Sequence, residues 1–260
     1  MKIAEIAAAI ESFAPLGLQE SYDNSGLIVG RPDDEVHSAL LAVDVTEEVL
    51  DEAEREGCDI VITHHPIIFH PLKRLNSADH VQRCVERAIR RGIALYACHT
   101  NLDAAPDGMS ARLAAMLGVT DIRVLQPSGT EGAGFGAVGE LPQEMPFDDF
   151  MERIRAVTGA RVLRHSDVAR PSVRRVAVCT GAGAFLADEA RRAGADIYVT
   201  ADLKYNDFMA PDGAFTIVDA GHFESEYCAI EILFDILSKK LLNFAVRRSE
   251  CSRNPVHHFV

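Results

Sequence analysis

An internal repeat begins with Asp51-Glu-Ala-Glu-Arg-Glu-Gly-Cys-Asp-Ile-Val-Ile-Thr63 and returns as Asp188-Glu-Ala-Arg-Arg-Ala-Gly-Ala-Asp-Ile-Tyr-Val-Thr200. Eight of the thirteen positions carry the same residue in both copies. Each copy has a charged helical segment, a glycine suited to end the helix, and a short apolar strand. A repeat of this kind is one supersecondary unit used twice. The pattern therefore predicts an α/β protein made of two related α/β domains with right-handed crossovers.

The predicted boundary between the two domains lies in a glycine-rich stretch, Gln126 to Gly139. Glycine at this density is typical of a linker or a flexible hairpin. The N-terminal domain is therefore assigned to residues 1–126 and the second domain to residues 127–260. A long helix is expected to run to about Leu242 and to pack back on the first domain.

Composition limits the classes of function. The chain has 260 residues, 48 % of them hydrophobic, and a formal net charge of −13, which argues against a nucleic-acid backbone as partner. No apolar run is long enough for a membrane helix. The first segment carries Glu5 and Glu11 in an amphipathic pattern unlike a signal peptide. The six cysteines show no C-x-x-C spacing, so we expect reduced thiols in a cytoplasmic protein.

Two adjacent histidines, His64 and His65, follow the strand of the first repeat copy, and Pro66 stops that strand. Ligands of open α/β sheets bind in the crevice outside the carboxyl ends of the strands. Two neighbouring imidazoles are hard to accommodate as core packing, because their ring nitrogens need partners. An exposed, hydrogen-bonded pair is the alternative, and a metal site is the interpretation that the rest of the chain favours.

A second polar strand end is Cys98-His99-Thr100-Asn101-Leu102-Asp103. Asp103 lies in a strand-to-helix connection, the kind of segment that often carries function. The alternatives are a turn or cap residue for Asp103 and a hydrogen-bonded core histidine for His99.

A third strand end delivers Gly221-His-Phe-Glu-Ser-Glu226. His222 and Glu226 are four residues apart, as His99 and Asp103 are. If the helix begins at Ser225 or Glu226, imidazole and carboxylate converge near its positive end. Stabilisation of the helix dipole alone would explain Glu226, at about 0.3–1 kcal/mol, but not the neighbouring histidine.

These strand ends together offer three imidazoles and two carboxylates as ligands: His64, His65, Asp103, His222 and Glu226. One metal ion rarely uses five such ligands and keeps an open position. Two ions about 3.5–4 Å apart fit better, and mixed nitrogen and oxygen ligands suit Zn, Mn, Fe or Co. The sequence therefore predicts two divalent metal ions per chain and a hydrolase activity that depends on them.

Six motifs spread over nearly the whole chain resemble the Nif-three-like dinuclear metal centre proteins, often named GTP cyclohydrolase 1 type 2 homologues. They are Tyr22-Asp-Asn-Ser-Gly-Leu27, Thr63-His-His-Pro66, His99-Thr-Asn-Leu-Asp103, Ala201-Asp-Leu-Lys-Tyr205, Gly221-His-Phe-Glu-Ser-Glu226 and Asn254-Pro-Val256. The His-His-Pro and His-Thr-Asn-Leu-Asp segments, taken with the later His-x-x-x-Glu, make the resemblance specific.

The resemblance implies a Nif-three-like fold, assembly into a toroidal homohexamer, and a two-metal site made by the five ligands named above. The implied activity is opening of the GTP imidazole ring by attack at C8, with release of formate. We expect His99 or Lys204 to handle protons or substrate charge there, although Lys204 can equally be a surface lysine at a strand end.

Two residues depart from the family pattern. Ala201 stands where the family usually has glycine, and Asn206 where it usually has histidine. If that histidine serves as acid or base, this chain has lost or moved it. Because fold and metal site do not fix a substrate, another metal-dependent hydrolase such as a phosphoesterase, and a non-catalytic hexameric metal-binding or scaffold protein, stay as alternatives.

Overall fold

Strands and helices alternate along most of the chain in this computed structural model, which describes residues 1–259. The strands are β1 Gly26–Val29, β2 Ser38–Ala42, β3 Ile60–Thr63, β4 Ala94–Ala97, β5 Thr120–Pro127, β6 Gly134–Pro146, β7 Arg164–His165, β8 Ser172–Ala182, β9 Ile197–Ala201, β10 Thr216–Asp219 and β11 Ala245–Arg248. The helices are α1 Ile3–Glu11, α2 Glu47–Glu56, α3 His80–Arg91, α4 Thr100–Ala104, α5 Met109–Met116, α6 Phe147–Thr158, α7 Ala187–Arg192, α8 His222–Glu226 and α9 Cys228–Lys240.

The chain divides into two compact units. The first comprises Met1–Leu102 and Ala229–Arg253, and the second comprises Asp103–Cys228 with the segment from Asn254 onward. This division differs from the boundary expected at residue 126. The glycine-rich stretch instead forms the ends of β5 and β6, an antiparallel hairpin inside the second unit, in which Gln126 pairs with Phe135. Glycine is needed there because the two strands lie so close that a Cβ on Gly134 would be 2.2 Å from the Gln126 carbonyl oxygen.

The first unit contains a five-stranded sheet in the order β1-β4-β3-β2-β11. Strands β4, β3, β2 and β11 are parallel, and β1 runs antiparallel to β4. Leu40, Val61 and Leu95 pack with the buried faces of α2 and α3 in one core. Thr46 caps α2 by accepting a hydrogen bond from the Val49 backbone, which fixes where that helix begins.

The late segment of the first unit is held by β11 and by a buried carboxylate. β11 pairs with β2, with Val246 opposite Ala39. Glu52 on α2 is buried and accepts hydrogen bonds from the backbone nitrogens of Glu250, at 2.9 Å, and Cys251, at 3.2 Å. A buried carboxylate needs such donors, so Glu52 ties the segment that follows β11 to α2.

The second unit contains a six-stranded sheet in the order β5-β6-β8-β9-β10-β7. Strands β8, β9 and β10 are parallel, and the other pairings are antiparallel. Val176, Val199 and Val218 lie in one buried cluster on this sheet with Phe150 of α6. The third expected strand end is present, but the following helix is broken at Tyr227 into α8 and α9 rather than running unbroken to Leu242.

The predicted repeat is confirmed by the two sheets. In the first unit β2, β3 and β4 are adjacent and parallel, and in the second unit β8, β9 and β10 have the same arrangement. The glycines that end the repeated helices, Gly57 and Gly194, have φ angles of 67° and 69°. Both lie in the left-handed region that glycine adopts at little cost, which explains why this position is identical in the two copies.

Among residues 1–259, no helix combines the length and the apolar character needed to cross a bilayer. The six cysteines are free thiols, and five of them are buried.

Candidate metal centre

Three imidazoles of the first unit converge at one edge of its sheet. β3 and β4 are neighbouring parallel strands with Thr63 opposite Ala97, so the residues after them project from the same edge. The ring centroids of His64, His65 and His99 are 5.0, 5.2 and 5.4 Å apart in pairs. One ring nitrogen from each of the three lies within 4.8 Å of the others, so the group can hold a metal ion.

The rings of His64 and His65 are oriented by oxygen atoms. Nδ1 of His64 lies 2.8 Å from the carbonyl oxygen of Cys98, and Nδ1 of His65 lies 2.8 Å from Oδ1 of Asp44. A carbonyl or carboxylate oxygen only accepts hydrogen bonds, so each Nδ1 carries the proton. In the neutral form of such a ring Nε2 keeps its lone pair, which is what a metal-binding histidine needs.

His99 is oriented by the side chain of Asp23, which is fully buried. Nδ1 of His99 lies 2.7 Å from the carboxylate. The same carboxylate accepts from Thr100, through its backbone nitrogen at 3.0 Å and its hydroxyl at 2.5 Å, from the hydroxyl of Ser25 at 2.9 Å, and from the backbone nitrogen of Asn24 at 2.7 Å. The turn that carries Asp23 therefore fixes a site histidine.

Those donors decide the charge of Asp23. Burial by itself would raise the pKa of this carboxyl, but the hydrogen bonds from His99 and Thr100, with the charge of His99, outweigh burial and hold the pKa well below its usual range. Asp23 is therefore an anion at neutral pH.

The second unit builds a comparable group from two neighbouring parallel strands. β9 and β10 pair with Thr200 opposite Asp219, which places Asp202 and His222 at the same edge. Nδ1 of His222 lies 2.8 Å from Oδ2 of Asp202. Nε2 of His222 lies 2.9 Å from Oε2 of Glu226, one turn further along α8. Glu226 is only 3 % exposed.

The two carboxylates control the charge of His222. Burial by itself would lower the pKa of this imidazole, but the hydrogen bonds and charges of Glu226 and Asp202 outweigh burial and raise the pKa to about 9. The ring is therefore protonated at neutral pH when no metal ion is bound, and a cation that displaces the proton would find two anionic partners already in position.

Gly181 makes room for Glu226. A Cβ at this position would lie 2.1 Å from Oε1 of Glu226 and 3.4 Å from Cε1 of His222. The backbone nitrogen of Gly181 donates to the hydroxyl of Ser225, and that of Gly183 donates to Thr200. The glycines at the end of β8 thus serve the His222 and Glu226 pair, and the amides of Gly181 and Gly183 are both used inside the protein.

Asp103 lies on α4 and is half-buried. It lines a cavity of about 510 Å³ together with Ser110 and Arg123. Asp103 and Glu226 both act on two buried thiols: burial, assisted by these two charges, raises the pKa of Cys179 and of Cys228 to about 12. These cysteines stay protonated at neutral pH and are therefore poor nucleophiles.

Lys204, the other residue expected to handle protons or substrate charge, is exposed and precedes a short 3₁₀ turn, Tyr205–Met209. It forms no ion pair within residues 1–259. Asn206 is exposed in the same turn, and Ala201 is buried at the end of β9. The structure thus groups His99 with His64 and His65 and leaves Lys204 on the surface.

Sequence reasoning missed the carboxylates that orient the histidines, Asp23, Asp44 and Asp202. One signal was available for Asp202, because it occupies in the second repeat copy the position of His65 in the first. Its φ of 55° is a second mark, since left-handed backbone at a non-glycine residue often accompanies a functional constraint. Asp44 lies two residues after the end of β2 and is therefore another polar residue near a strand end.

Four histidines thus share one arrangement. Nδ1 of each is held by an oxygen at 2.7 or 2.8 Å, and each histidine belongs to a group whose ligand atoms lie within 4.8 Å of one another. Such outer hydrogen bonds to carboxylates and carbonyls are typical of metal-binding histidines. The residues present therefore fit a divalent metal ion with nitrogen and oxygen ligands.

The fold and these groups define a class of α/β proteins with two repeated sheets and histidines clustered at their strand ends. The chain belongs to the Duf34/NIF3 (NGG1p interacting factor 3) family, whose pattern it matches over residues 1–255.

Curated relatives named GTP cyclohydrolase 1 type 2 homolog support the same assignment. The one from Clostridium perfringens is 33 % identical over 230 residues, 87 % of each chain. The one from Lactococcus lactis is 31 % identical over 263 residues, 99 % of each chain.

Two solved structures have the same fold over the full length. A hypothetical protein of Staphylococcus aureus has a TM-score of 0.92 at 27 % identity, covering 100 % of this chain and 99 % of that one. A Bacillus cereus protein related to NIF3 has a TM-score of 0.90 at 25 % identity, with the same coverage. The expectation of a Nif-three-like α/β fold is confirmed.

Proposed function

We propose that this protein is a metal-dependent hydrolase that binds two divalent ions. The proposed ligands are His64, His65, Asp103, His222 and Glu226. The observation that carries the proposal is that an oxygen 2.8 Å from Nδ1 orients the rings of His64, His65 and His222, an arrangement typical of metal-binding histidines. The mixed donors suit Zn, Mn, Fe or Co.

Divalent ions held by such ligands act as Lewis acids and lower the pKa of bound water. The side chains of the protein orient the ligands and carry protons. Asp44 and Asp202 hold His65 and His222 in the required tautomer. Asp23 holds His99 beside His64 and His65, where its Nε2 can exchange a proton with a substrate.

The proposed reaction is opening of the GTP imidazole ring with formate release. It is supported by the name shared by the curated relatives and by an imidazole that is oriented as a proton carrier. The inert thiols of Cys179 and Cys228 argue against a cysteine nucleophile as the alternative route to hydrolysis.

The test is elemental analysis of untagged protein after reloading, with formate release from GTP followed in the same samples. We expect about two ions per chain in the wild type, loss of metal and of formate release in His64→Ala, and no change in His37→Ala, whose side chain is 81 % exposed. Two ions without formate under every metal loading would retain the site and discard the reaction. A wild type without metal would overturn the proposal.

The assembly proposed with this function is a homohexamer in the cytoplasm. It rests on the family resemblance, and sedimentation of the metal-loaded protein would test it. A mass of one or two chains at micromolar concentration would contradict it.

A further inference from the structure

Two exposed aromatic rings lie beside the imidazoles of the first unit. The ring centroids of Tyr22 and Phe69 are 6.3 Å apart in an edge-to-face arrangement, and the Phe69 centroid lies 6.0 Å from that of His99. Tyr22 is 63 % exposed and Phe69 is 38 % exposed. Aromatic side chains contribute most to stability when they are buried. A partly exposed pair next to a polar site therefore indicates a ligand-binding surface.

The position of the two rings is tied to the turn that orients His99. The side-chain amide of Asn24 donates to the carbonyl oxygen of Ile68 at 2.6 Å, which joins the Tyr22 turn to the segment carrying Phe69. The backbone of Asn24 donates to Asp23 at 2.7 Å. Because the same turn fixes the rings and His99, a ligand that stacks on the rings would be placed at a set distance from the imidazoles.

Two cations follow on the same segment. Lys73 and Arg74 come four and five positions after Phe69, in an irregular, fully exposed stretch between β3 and α3. Neither forms an ion pair within residues 1–259. Four and five residues of extended chain reach at most about 14 and 18 Å between Cα atoms, so both cations lie on the segment next to the rings.

In α3, the next element along the chain, the cations are paired with carboxylates. Four arginines of α3 all face carboxylates, and the pairs are Arg83 with Glu47, Arg87 with Asp51, Arg90 with Glu86, and Arg91 with Glu54. In a chain with a net charge of −13, carboxylates are abundant. Two neighbouring cations without a carboxylate partner are therefore available to an anion from outside.

We infer that Tyr22 and Phe69 bind the flat ring of a heteroaromatic substrate and that Lys73 and Arg74 bind its anionic group. The inference rests on the proposed function, since Phe69 touches His99 and through it the proposed metal centre. Aromatic faces stack on any flat heterocycle, and paired cations favour phosphate. A nucleotide has both features. A simple phosphoester would use the cations alone, and an apolar ligand would use the rings alone.

The experiment is calorimetric titration of the metal-loaded full chain with guanosine, guanosine 5′-monophosphate and ribose 5-phosphate. Phe69→Leu keeps an apolar side chain but removes the ring. We expect it to bind guanosine and the monophosphate about tenfold more weakly and ribose 5-phosphate unchanged. The double variant Lys73→Ala and Arg74→Ala should lose affinity for both phosphates and keep its affinity for guanosine.

Phe185→Leu in the second unit is the matched control, because Phe185 is also an exposed ring at 60 % and should leave all three affinities unchanged. Equal guanosine binding by Phe69→Leu and the wild type, or no guanosine binding by the wild type, overturns the inference. Should Phe69→Leu fail to fold, Tyr22→Leu gives the same decision. Metal content measured in each sample separates this outcome from failure of the metal centre, because a sample that holds metal but does not bind guanosine contradicts only the ring site.

Discussion

Nδ1 of His99 lies 2.7 Å from the buried carboxylate of Asp23, which also accepts four hydrogen bonds from Ser25, Asn24 and Thr100. Asp23→Asn keeps the size but replaces one acceptor oxygen by an amide donor. We expect unfolding free energy to fall by about 2 kcal/mol, since buried donors are left facing an NH₂ group.

Urea unfolding of the metal-free protein measures this change. Asp33→Asn is the control, because Asp33 is exposed at 87 % and pairs only with Lys2. Equal midpoints for the wild type and Asp23→Asn would show that the network adds nothing to stability.

The carboxylates of Asp44 and Asp202 orient His65 and His222 but are themselves partly exposed. We expect Asp44→Ala and Asp202→Ala to fold normally and to bind divalent metal about 10–100-fold more weakly, because each histidine loses the partner that fixes its tautomer. Competition with a chromophoric chelator gives the affinities, and Asp33→Ala should match the wild type. Unchanged affinity in both variants would contradict the role of these oxygens.

Gly181 and Gly194 form a matched pair for testing the space around Glu226. Both have left-handed backbone, with φ of 62° and 69°, but a Cβ on Gly194 meets no atom within 4 Å. Alanine at either position therefore has a similar backbone cost of about 1 kcal/mol. Only Gly181→Ala should also displace Glu226 and lower metal content in elemental analysis. Equal metal content in the two variants would show that Glu226 needs no such space.

The raised pKa of His222 couples metal binding to protons. Because its pKa is about 9 in the absence of metal, the ring is protonated at pH 7 and has to release its proton when Nε2 takes a metal ion. Metal affinity should therefore weaken as pH falls below about 9, approaching tenfold per pH unit from this group alone.

Calorimetry in buffers of different ionisation enthalpy would count the protons released at pH 7. His222→Ala removes this contribution, and the same count in the variant and the wild type would assign the protons elsewhere. For the metal-free fold the sign is reversed: a raised pKa stabilises the folded state most below the ordinary histidine value of about 6.5, and this contribution is lost as pH rises through about 9.

The reactivity of the cysteine thiols tests whether the region around Asp103 and Glu226 is buried. Burial raises the pKa of Cys179 and Cys228 to about 12, and only Cys251 of the six cysteines is not fully buried. A thiol reagent at pH 8 should therefore label Cys251 within minutes and the others only after unfolding. Rapid labelling of Cys179 in the native protein, read by peptide mass spectrometry, would contradict this burial.

The strand ends were accessible to prediction because their signals are local. A β-branched run followed by His64 and His65 predicts both the strand and the position of the imidazoles, and His222 with Glu226 is a four-residue pattern. The orienting partners are not local. Asp44 is 21 residues from His65 and Asp23 is 76 residues from His99, so only the sheet order brings them together.

At the expected domain boundary, a local sequence signal was present but fits two different structures. Glycine between Gln126 and Gly139 has the same local signature in a linker and in a closely paired hairpin, and only the partner strand tells them apart. In this chain the residues after β5 turn back as β6 with Gln126 opposite Phe135, so the glycines belong to the interior of a unit. Composition alone cannot distinguish a flexible linker from a closely paired hairpin.

His65 and Asp202 occupy the same position in the two copies of the repeat, at the polar end of a parallel strand. The first copy places an imidazole there, and the second places a carboxylate that orients an imidazole, because Asp202 lies beside Nδ1 of His222 as Asp44 lies beside Nδ1 of His65. The same strand end therefore carries either member of a histidine–carboxylate pair without any change in the strand pairing that leads to it.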